Sequence, residues 1–260
     1  MTVLILGASG ATGSKLVQLL LEQGINVKAV VRSKSDFINS QAKYIQQNNQ
    51  LSIIQANILA MSNAELTSIL QGCQAVVSCL GHNLNFKGLF CQPKRLVTQA
   101  IQKVCHAIEQ IPGDAPYKMP IKLVLMNTTG NQNHKAGEKV SVSQSLVISL
   151  LRLALPPHAD NEDAAQYLQT NHAQTQSSNT TQQIQTKLEW VVVRPDSLTN
   201  DTKVSTYEIY PSPIRSAIFD PGKTSRINAA HFMSQLIRDN TLWQKWRSQM
   251  PVIYNADYIT

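Results

Sequence analysis

The sequence predicts an α/β fold, a doubly wound parallel sheet with helices on both faces. Two observations carry that expectation: short apolar runs alternate with longer segments of helical periodicity, and a glycine-rich loop directly follows the first apolar run. A third is scale. With 260 residues, 43% of them hydrophobic, the chain can bury a full core, which excludes a disordered or fibrous protein.

The strands are expected at residues 3–6, 27–31, 51–55, 75–79, 122–126 and 190–193, each a short run rich in Val, Ile and Leu. Between them, residues 14–23 place Leu16, Val17, Leu19, Leu20 and Leu21 on one broad face, and residues 94–109 do the same with Leu96, Val97, Ile101, Val104, Cys105 and Ile108. Parallel strands joined this way require right-handed crossovers. The stretch 169–187 is almost wholly Gln, Asn, Thr and Ser, too polar to bury, and is expected as a mobile surface loop or frayed helix. After Arg194 the chain turns irregular, with Pro195, Pro211, Pro213 and Pro221, before a last helix at 228–238. The expected organisation is one domain over 1–260, with 199–225 a small irregular lobe over the carboxyl edge of the sheet and 226–260 returning to the core.

Charge is sparse. Only 15% of residues are charged, 23 Lys and Arg against 16 Asp and Glu for a net +7, and 25 Gln and 18 Asn take their place. The basic residues are scattered and not interleaved with aromatics, so a small anionic ligand is expected and nucleic acid is not. Cys73, Cys79, Cys91 and Cys105 lack metal-ligand or disulfide-framework spacing and read as buried reduced thiols, with no metal site. Residues 2–6 enter a strand without a basic leader, and no apolar run reaches membrane-spanning length; a soluble, cytoplasmic protein is expected.

The glycine loop, Gly7-Ala8-Ser9-Gly10-Ala11-Thr12-Gly13, opens the first helix, and Gly24 ends that helix before a second apolar strand. In this context Gly7 permits a tight turn, Gly10 lets backbone approach a pyrophosphate, and Gly13 allows close packing of helix on strand. The helix N-terminus adds unpaired N–H groups and a positive dipole end. The loop thus reads as a dinucleotide site, the alternative being a structural turn without ligand. The second strand runs into Arg32-Ser33-Lys34, where an NAD-selective site would place an acid for the ribose hydroxyl. Bases there suit a 2′-phosphate, so NADPH is expected over NADH; the competing reading is a solvated strand end.

GASGATG at the N-terminus, VVRS after the second strand, WVVVRPDSL at the sixth and SRINAAHFM near the C-terminus resemble the atypical short-chain dehydrogenase/reductase superfamily, in its NAD(P)H-binding branch akin to biliverdin reductase B and NmrA-like proteins. The resemblance implies a Rossmann fold with a small substrate lobe, and an activity among quinone, flavin and biliverdin reductases or redox sensors without turnover. It further implies pyrophosphate binding at Ser9, Ala11, Thr12 and Gly13, 2′-phosphate binding at Arg32, and adenine contact at Asn57, where the family usually has Asp. By the same resemblance Leu80 and Gly81, leading into His82, pack on a cofactor ribose; Asn127-Thr128-Thr129 bring a hydroxyl, that of Thr128, to the nicotinamide; and Pro195 flanks the carboxamide.

One departure is clear. None of Tyr44, Tyr117, Tyr167, Tyr207, Tyr210, Tyr254 and Tyr258 is followed by Lys four positions on, so the Tyr-x-x-x-Lys pair that passes a proton to a carbonyl oxygen is missing. In its place stands Pro156-Pro157-His158-Ala159-Asp160-Asn161-Glu162-Asp163. On one reading the prolines stop a helix and Asp160 or Asn161 caps the next, with 164–168 helical. On the other, His158 with Asp160 or Glu162 projects into the pocket and acts on the substrate, as a pocket His does in biliverdin-reductase-like relatives. His82 is the rival, and either imidazole has a plain surface-loop reading.

The expected function is an NADPH-dependent oxidoreductase that passes a hydride to a small acceptor such as a quinone or flavin. The alternative is an NAD(P)H-binding sensor or regulatory protein. A nucleotide-sugar epimerase or dehydratase is disfavoured by the missing Tyr–Lys pair and the short lobe.

Overall fold

The computed structural model describes residues 1–45, 49–82, 93–112, 119–138, 147, 156–172 and 186–258. Its centre is an eight-stranded sheet built from β1 (Thr2–Leu6), β2 (Asn26–Val31), β3 (Leu51–Gln55), β4 (Ala75–Ser78), β5 (Ile121–Met126), β6 (Leu188–Pro195), β8 (Tyr207–Tyr210) and β10 (Val252–Asn255). The order is β3-β2-β1-β4-β5-β6-β10-β8, parallel throughout except for the edge strand β8, which runs antiparallel to β10. β7 (Ser197–Thr199) and β9 (Lys223–Ser225) pair separately. The six expected strands are all present. The first six in spatial order follow the two-halved Rossmann-type pattern, whose reversal between β1 and β4 opens a crevice at the carboxyl ends.

Residue alternation divides the sheet between two cores. Leu4 and Leu6 face one, which is closed by α3 (Asn63–Leu70), α4 (Leu96–Glu109) and α5 (Pro156–Asn171). Val3 and Ile5 face the other, under α1 (Gly13–Glu22), α6 (Arg226–Arg238) and α7 (Asn240–Trp246), with Phe37 from α2 (Lys34–Ile45). The central strands β4 and β6 are buried at every position, as strands covered on both faces must be. Cys73, Cys79 and Cys105 are buried free thiols, as expected; Cys91 lies outside the described residues.

Three expectations need correction. α5 begins at Pro156 rather than after Asp160: both prolines sit in its first turn, where a missing N–H breaks no helical hydrogen bond. Neither Asp160 nor Asn161 therefore caps this helix. The polar stretch from 169 is not all solvated, because Gln169 is buried in the last turns of α5 and its Nε2 donates to Asn133 Oδ1 at 2.6 Å; residues 173–185 lie outside the described set. The segment 199–225 is not wholly irregular, since β8 joins the main sheet through β10 and β9 pairs with β7. Among the described residues no helix is long and apolar enough to cross a membrane.

Candidate functional site

The glycine loop turns beneath β4. Gly7 has φ +74°, and a Cβ on it would lie 2.7 Å from the Cys79 carbonyl oxygen, so only glycine fits. A Cβ on Gly13 would fall 2.2 Å from the Gly7 oxygen, which is why α1 can start so close to the strand it follows. Between them the Gly10 N–H donates to the Gly7 oxygen at 2.9 Å, and the Ser14 N–H to the Gly10 oxygen at 2.9 Å. Ser9, Gly10 and Ala11 are exposed while Thr12 is buried. Thr12 occupies the N-cap of α1 without a side-chain cap hydrogen bond, so no hydroxyl closes the mouth of the helix. Backbone N–H groups at a dipole end, in a turn where Gly7, Gly10 and Gly13 carry no side chain, fit a pyrophosphate.

Strand register brings the second group alongside. β1 pairs with β2 at Leu6 and Val30, so Arg32 stands at the same edge as the loop. Arg32 and Lys34 are exposed. Ser33 is engaged locally, its Oγ accepting from the Asp36 N–H at 3.3 Å and so steadying the start of α2. The Lys34 N–H donates to Gln55 Oε1 at 3.3 Å, tying that turn to β3. Asn57 turns the chain after β3, its Oδ1 accepting from the Leu59 N–H at 3.1 Å and its carbonyl from the Ala60 N–H at 2.9 Å. Asn57 is exposed, as is Gly81, and a Cβ on Gly81 would meet open space; Leu80 is half-buried.

The ends of β5 and β6 are bound together. Asn127 is buried: its Nδ2 donates to the Asn161 carbonyl at 2.8 Å, and its Oδ1 accepts from the Thr128 N–H at 2.9 Å and from Asn131 Nδ2. Its side chain thus joins β5 to α5. Thr128 is half-buried, and its Oγ1 accepts from the Gly130 N–H at 3.3 Å. The Pro195 carbonyl accepts from the Thr129 N–H at 3.2 Å. A Cβ on Gly130 would lie 3.2 Å from His158 Nε2 and 3.8 Å from Thr128 Oγ1, so the first turn of α5 sets His158 against the Thr128 loop.

The carboxylate beside His158 in sequence serves the other histidine. Asp160 Oδ2 lies 2.7 Å from His82 Nε2 and accepts from the Val97 N–H at 2.8 Å, while Oδ1 accepts from the Thr98 N–H at 2.9 Å. Asp160 therefore caps α4, a helix distant in sequence, in place of its own. Burial alone would raise its carboxyl, but the hydrogen bonds from His82, Thr98 and Val97 prevail and hold it below the ordinary carboxylate value. Spacing could not have revealed this pairing, because 78 residues separate the two side chains.

Two further groups went unread in the sequence. Asp196, just past β6, is buried and accepts from the Ser197 N–H at 2.7 Å and the Gly222 N–H at 3.2 Å; burial outweighs these contacts and raises its carboxyl above the usual value. Arg194 is fully buried and pairs with Glu138. Both stand in the WVVVRPDSL stretch, where an Arg and an Asp at the end of a buried strand were the available signal.

The sequence matches no curated protein. In structure the chain is similar to a wide-type short-chain dehydrogenase/reductase from Veillonella parvula in complex with NADP (TM-score 0.67, 13% identity, covering 100% of this chain and 96% of that one). It is also similar to the oxidoreductase ylbE from Lactococcus lactis (TM-score 0.65, 14% identity, 98% and 91%) and to the anaerobillin reductase ChuY from Escherichia coli O157:H7 (TM-score 0.63, 14% identity, 99% and 98%). At such identities the likeness is one of fold. A family model described as NAD(P)H-binding matches residues 7–240, from the first glycine of the loop to the start of α7. The chain belongs to this NAD(P)H-binding family.

Proposed function

We propose that the protein is an NADPH-dependent reductase passing a hydride to a small acceptor such as a quinone or flavin. The observation that carries this reading is the register of β1 with β2, which sets exposed Arg32 and Lys34 beside the open N-terminus of α1 at one sheet edge. There Ser9, Ala11, Thr12 and Gly13 hold the pyrophosphate through backbone N–H groups, Gly10 leaves room for its approach, and Arg32, with Lys34 and Ser33, holds the 2′-phosphate. Gly7 shapes the turn, Asn57 lies toward the adenine, and Leu80 and Gly81 line the ribose. Asn127 and Pro195 frame the nicotinamide end, with Thr128, His158 and His82 the side chains nearest an acceptor. When bound, NADPH supplies the hydride.

The NADP complex of the Veillonella protein and the reductase names of the other two relatives support this assignment at the level of analogy. Segment 199–225 serves as the substrate lobe of a single-domain, cytoplasmic enzyme that needs no nucleic acid or membrane partner. The test is a binding titration with NADPH and NADH beside NADPH oxidation with quinones, flavins and carbonyls. Tighter NADPH binding with turnover of at least one acceptor is the expected result. Tight binding without turnover would identify a sensor, and equal affinities would refute the NADPH preference.

A further inference from the structure

The capping of α4 by Asp160 does not require a histidine. Two backbone donors, the N–H groups of Val97 and Thr98, already satisfy the purpose of an N-cap, and Thr98 Oγ1 adds a hydrogen bond to the Asp160 carbonyl at 2.9 Å. His82 is a third donor to the same carboxylate, brought there from the far end of β4. The side chains of His82 and Asp160 are 5% and 0% exposed. An ionised carboxylate only accepts, so the His82 proton resides on Nε2 and the tautomer is fixed. Nδ1 is left as the position that gains and loses a proton. Among the described residues Asp160 is the sole hydrogen-bond partner of His82.

The pair stands at the carboxyl edge, past the strand whose Cys79 carbonyl supports the Gly7 turn, in a chain without a Tyr-x-x-x-Lys pair. We propose that His82 is the proton donor of the reduction and Asp160 its positioning residue, and that the acceptor is one whose reduction leaves an anionic oxygen or nitrogen, as in a quinone, a flavin or a conjugated carbonyl. This rests on the reductase reading above. In the step, the acceptor takes a hydride from the reduced dinucleotide, its π bond opens onto the heteroatom, and that atom takes the proton as the His82 Nδ1–H bond breaks. The products are the dihydro acceptor, the oxidised dinucleotide and neutral His82, which regains a proton from water. The other titratable groups at this end of the surrounding elements are Cys79 beside β4, Arg95 at the N-cap of α4, and His158, Glu162 and Asp163 on α5, with Lys103, Cys105, His106 and Glu109 further along α4 and Tyr167 further along α5; Arg95 is paired with Asp163 at 2.8 Å.

The test uses the full chain with 15N-labelled histidine, the His82 signal being assigned by its loss in His82→Gln. The expected spectrum is the Nε2–H tautomer. With NADP⁺ bound, the His82 ring nitrogen shifts should differ from those with NADPH, because the oxidised ring carries a positive charge that the reduced ring lacks. In turnover, His82→Gln should lower kcat about 100-fold at unchanged KM for NADPH, and abolish the fall in kcat toward high pH. Asp160→Asn, checked by circular dichroism because α4 loses part of its cap, should shift that limb while leaving some turnover. Identical His82 ring nitrogen shifts with the two cofactor forms would overturn the proposal whatever the activity. If the wild type turns over and His82→Gln keeps its kcat and pH limb, the proton role is refuted and the reductase reading survives. If NADPH binds but nothing is reduced, both are refuted.

Discussion

Arg194 and Glu138 meet in a two-pronged ion pair, with Nη1 donating to Oε2 at 2.9 Å and Nη2 to Oε1 at 2.6 Å. The guanidinium also donates to the Asn131 and Met250 carbonyls, so it ties the loop after β5 to the approach of β10. With Arg194 at 0% exposure, removal of the carboxylate strands a cation in the core. Glu138→Ala should therefore destabilise the fold by about 3–5 kcal/mol, read as a lower urea midpoint at unchanged m-value.

The exposed guanidinium of Arg32 should distinguish the two dinucleotides. A charge-assisted hydrogen bond to a phosphate contributes about 1.5–3 kcal/mol, so Arg32→Ala should weaken NADPH binding by about one to two decades and leave NADH nearly unaffected. Calorimetric titration with both cofactors provides the comparison.

Gly10 and Gly13 should fail in different ways. A Cβ on Gly13 collides with backbone at 2.2 Å, so Gly13→Ala should destabilise the protein by about 1–3 kcal/mol. Gly10 is exposed and its Cβ position lies 3.1 Å from the Gly7 oxygen. Gly10→Val should keep a native circular dichroism spectrum and lose dinucleotide binding, because the side chain fills the space of the pyrophosphate. Melting curves and a binding titration on both variants separate the two outcomes.

Acid should loosen the fold in two stages. Burial, aided by Arg238, keeps His231 below the usual histidine value, and burial does the same for His172 despite Glu109. The unfolded chain thus binds more protons near pH 6.5 and below, so their contribution is present above that pH and declines as pH falls through the folded values. The lowered Asp160 adds a second loss beneath the ordinary carboxylate value of 3.8, whereas the raised Asp196 acts in the opposite sense, favouring the fold once protonated. His231→Gln should reduce the dependence of unfolding free energy on pH between 7 and 5 by less than one proton, as followed by urea titrations across that range.

The sheet was legible because strands covered on both faces read as near-continuous apolar runs, and the glycine loop was legible because its constraints are local. Helix α3 escaped notice although Ser62 and Glu65 form a reciprocal cap, visible as Ser-x-x-Glu. β10 escaped because a strand of four residues, three of them apolar, carries little periodic signal. The His82–Asp160 contact was illegible for another reason: it depends on how α5 lies across the ends of β4 and α4, and no spacing encodes that placement. Pro156 and Pro157 misled because a proline pair marks the start of a helix as well as its end.

The placement of β10 sets an order of events during synthesis. Residues 252–255 form an interior strand, flanked by β6 on one side and β8 on the other, and among the described residues β8 has no other neighbour in the sheet. Strands β1 to β6 can assemble as they leave the ribosome, completing the dinucleotide half, while Tyr207–Tyr210 must wait for a segment made about forty residues later. A nascent chain stopped at Pro251 would accordingly present a cofactor-binding half with an unpaired β6 edge, the kind of edge that chaperones shield and that neighbouring chains on a polysome can capture.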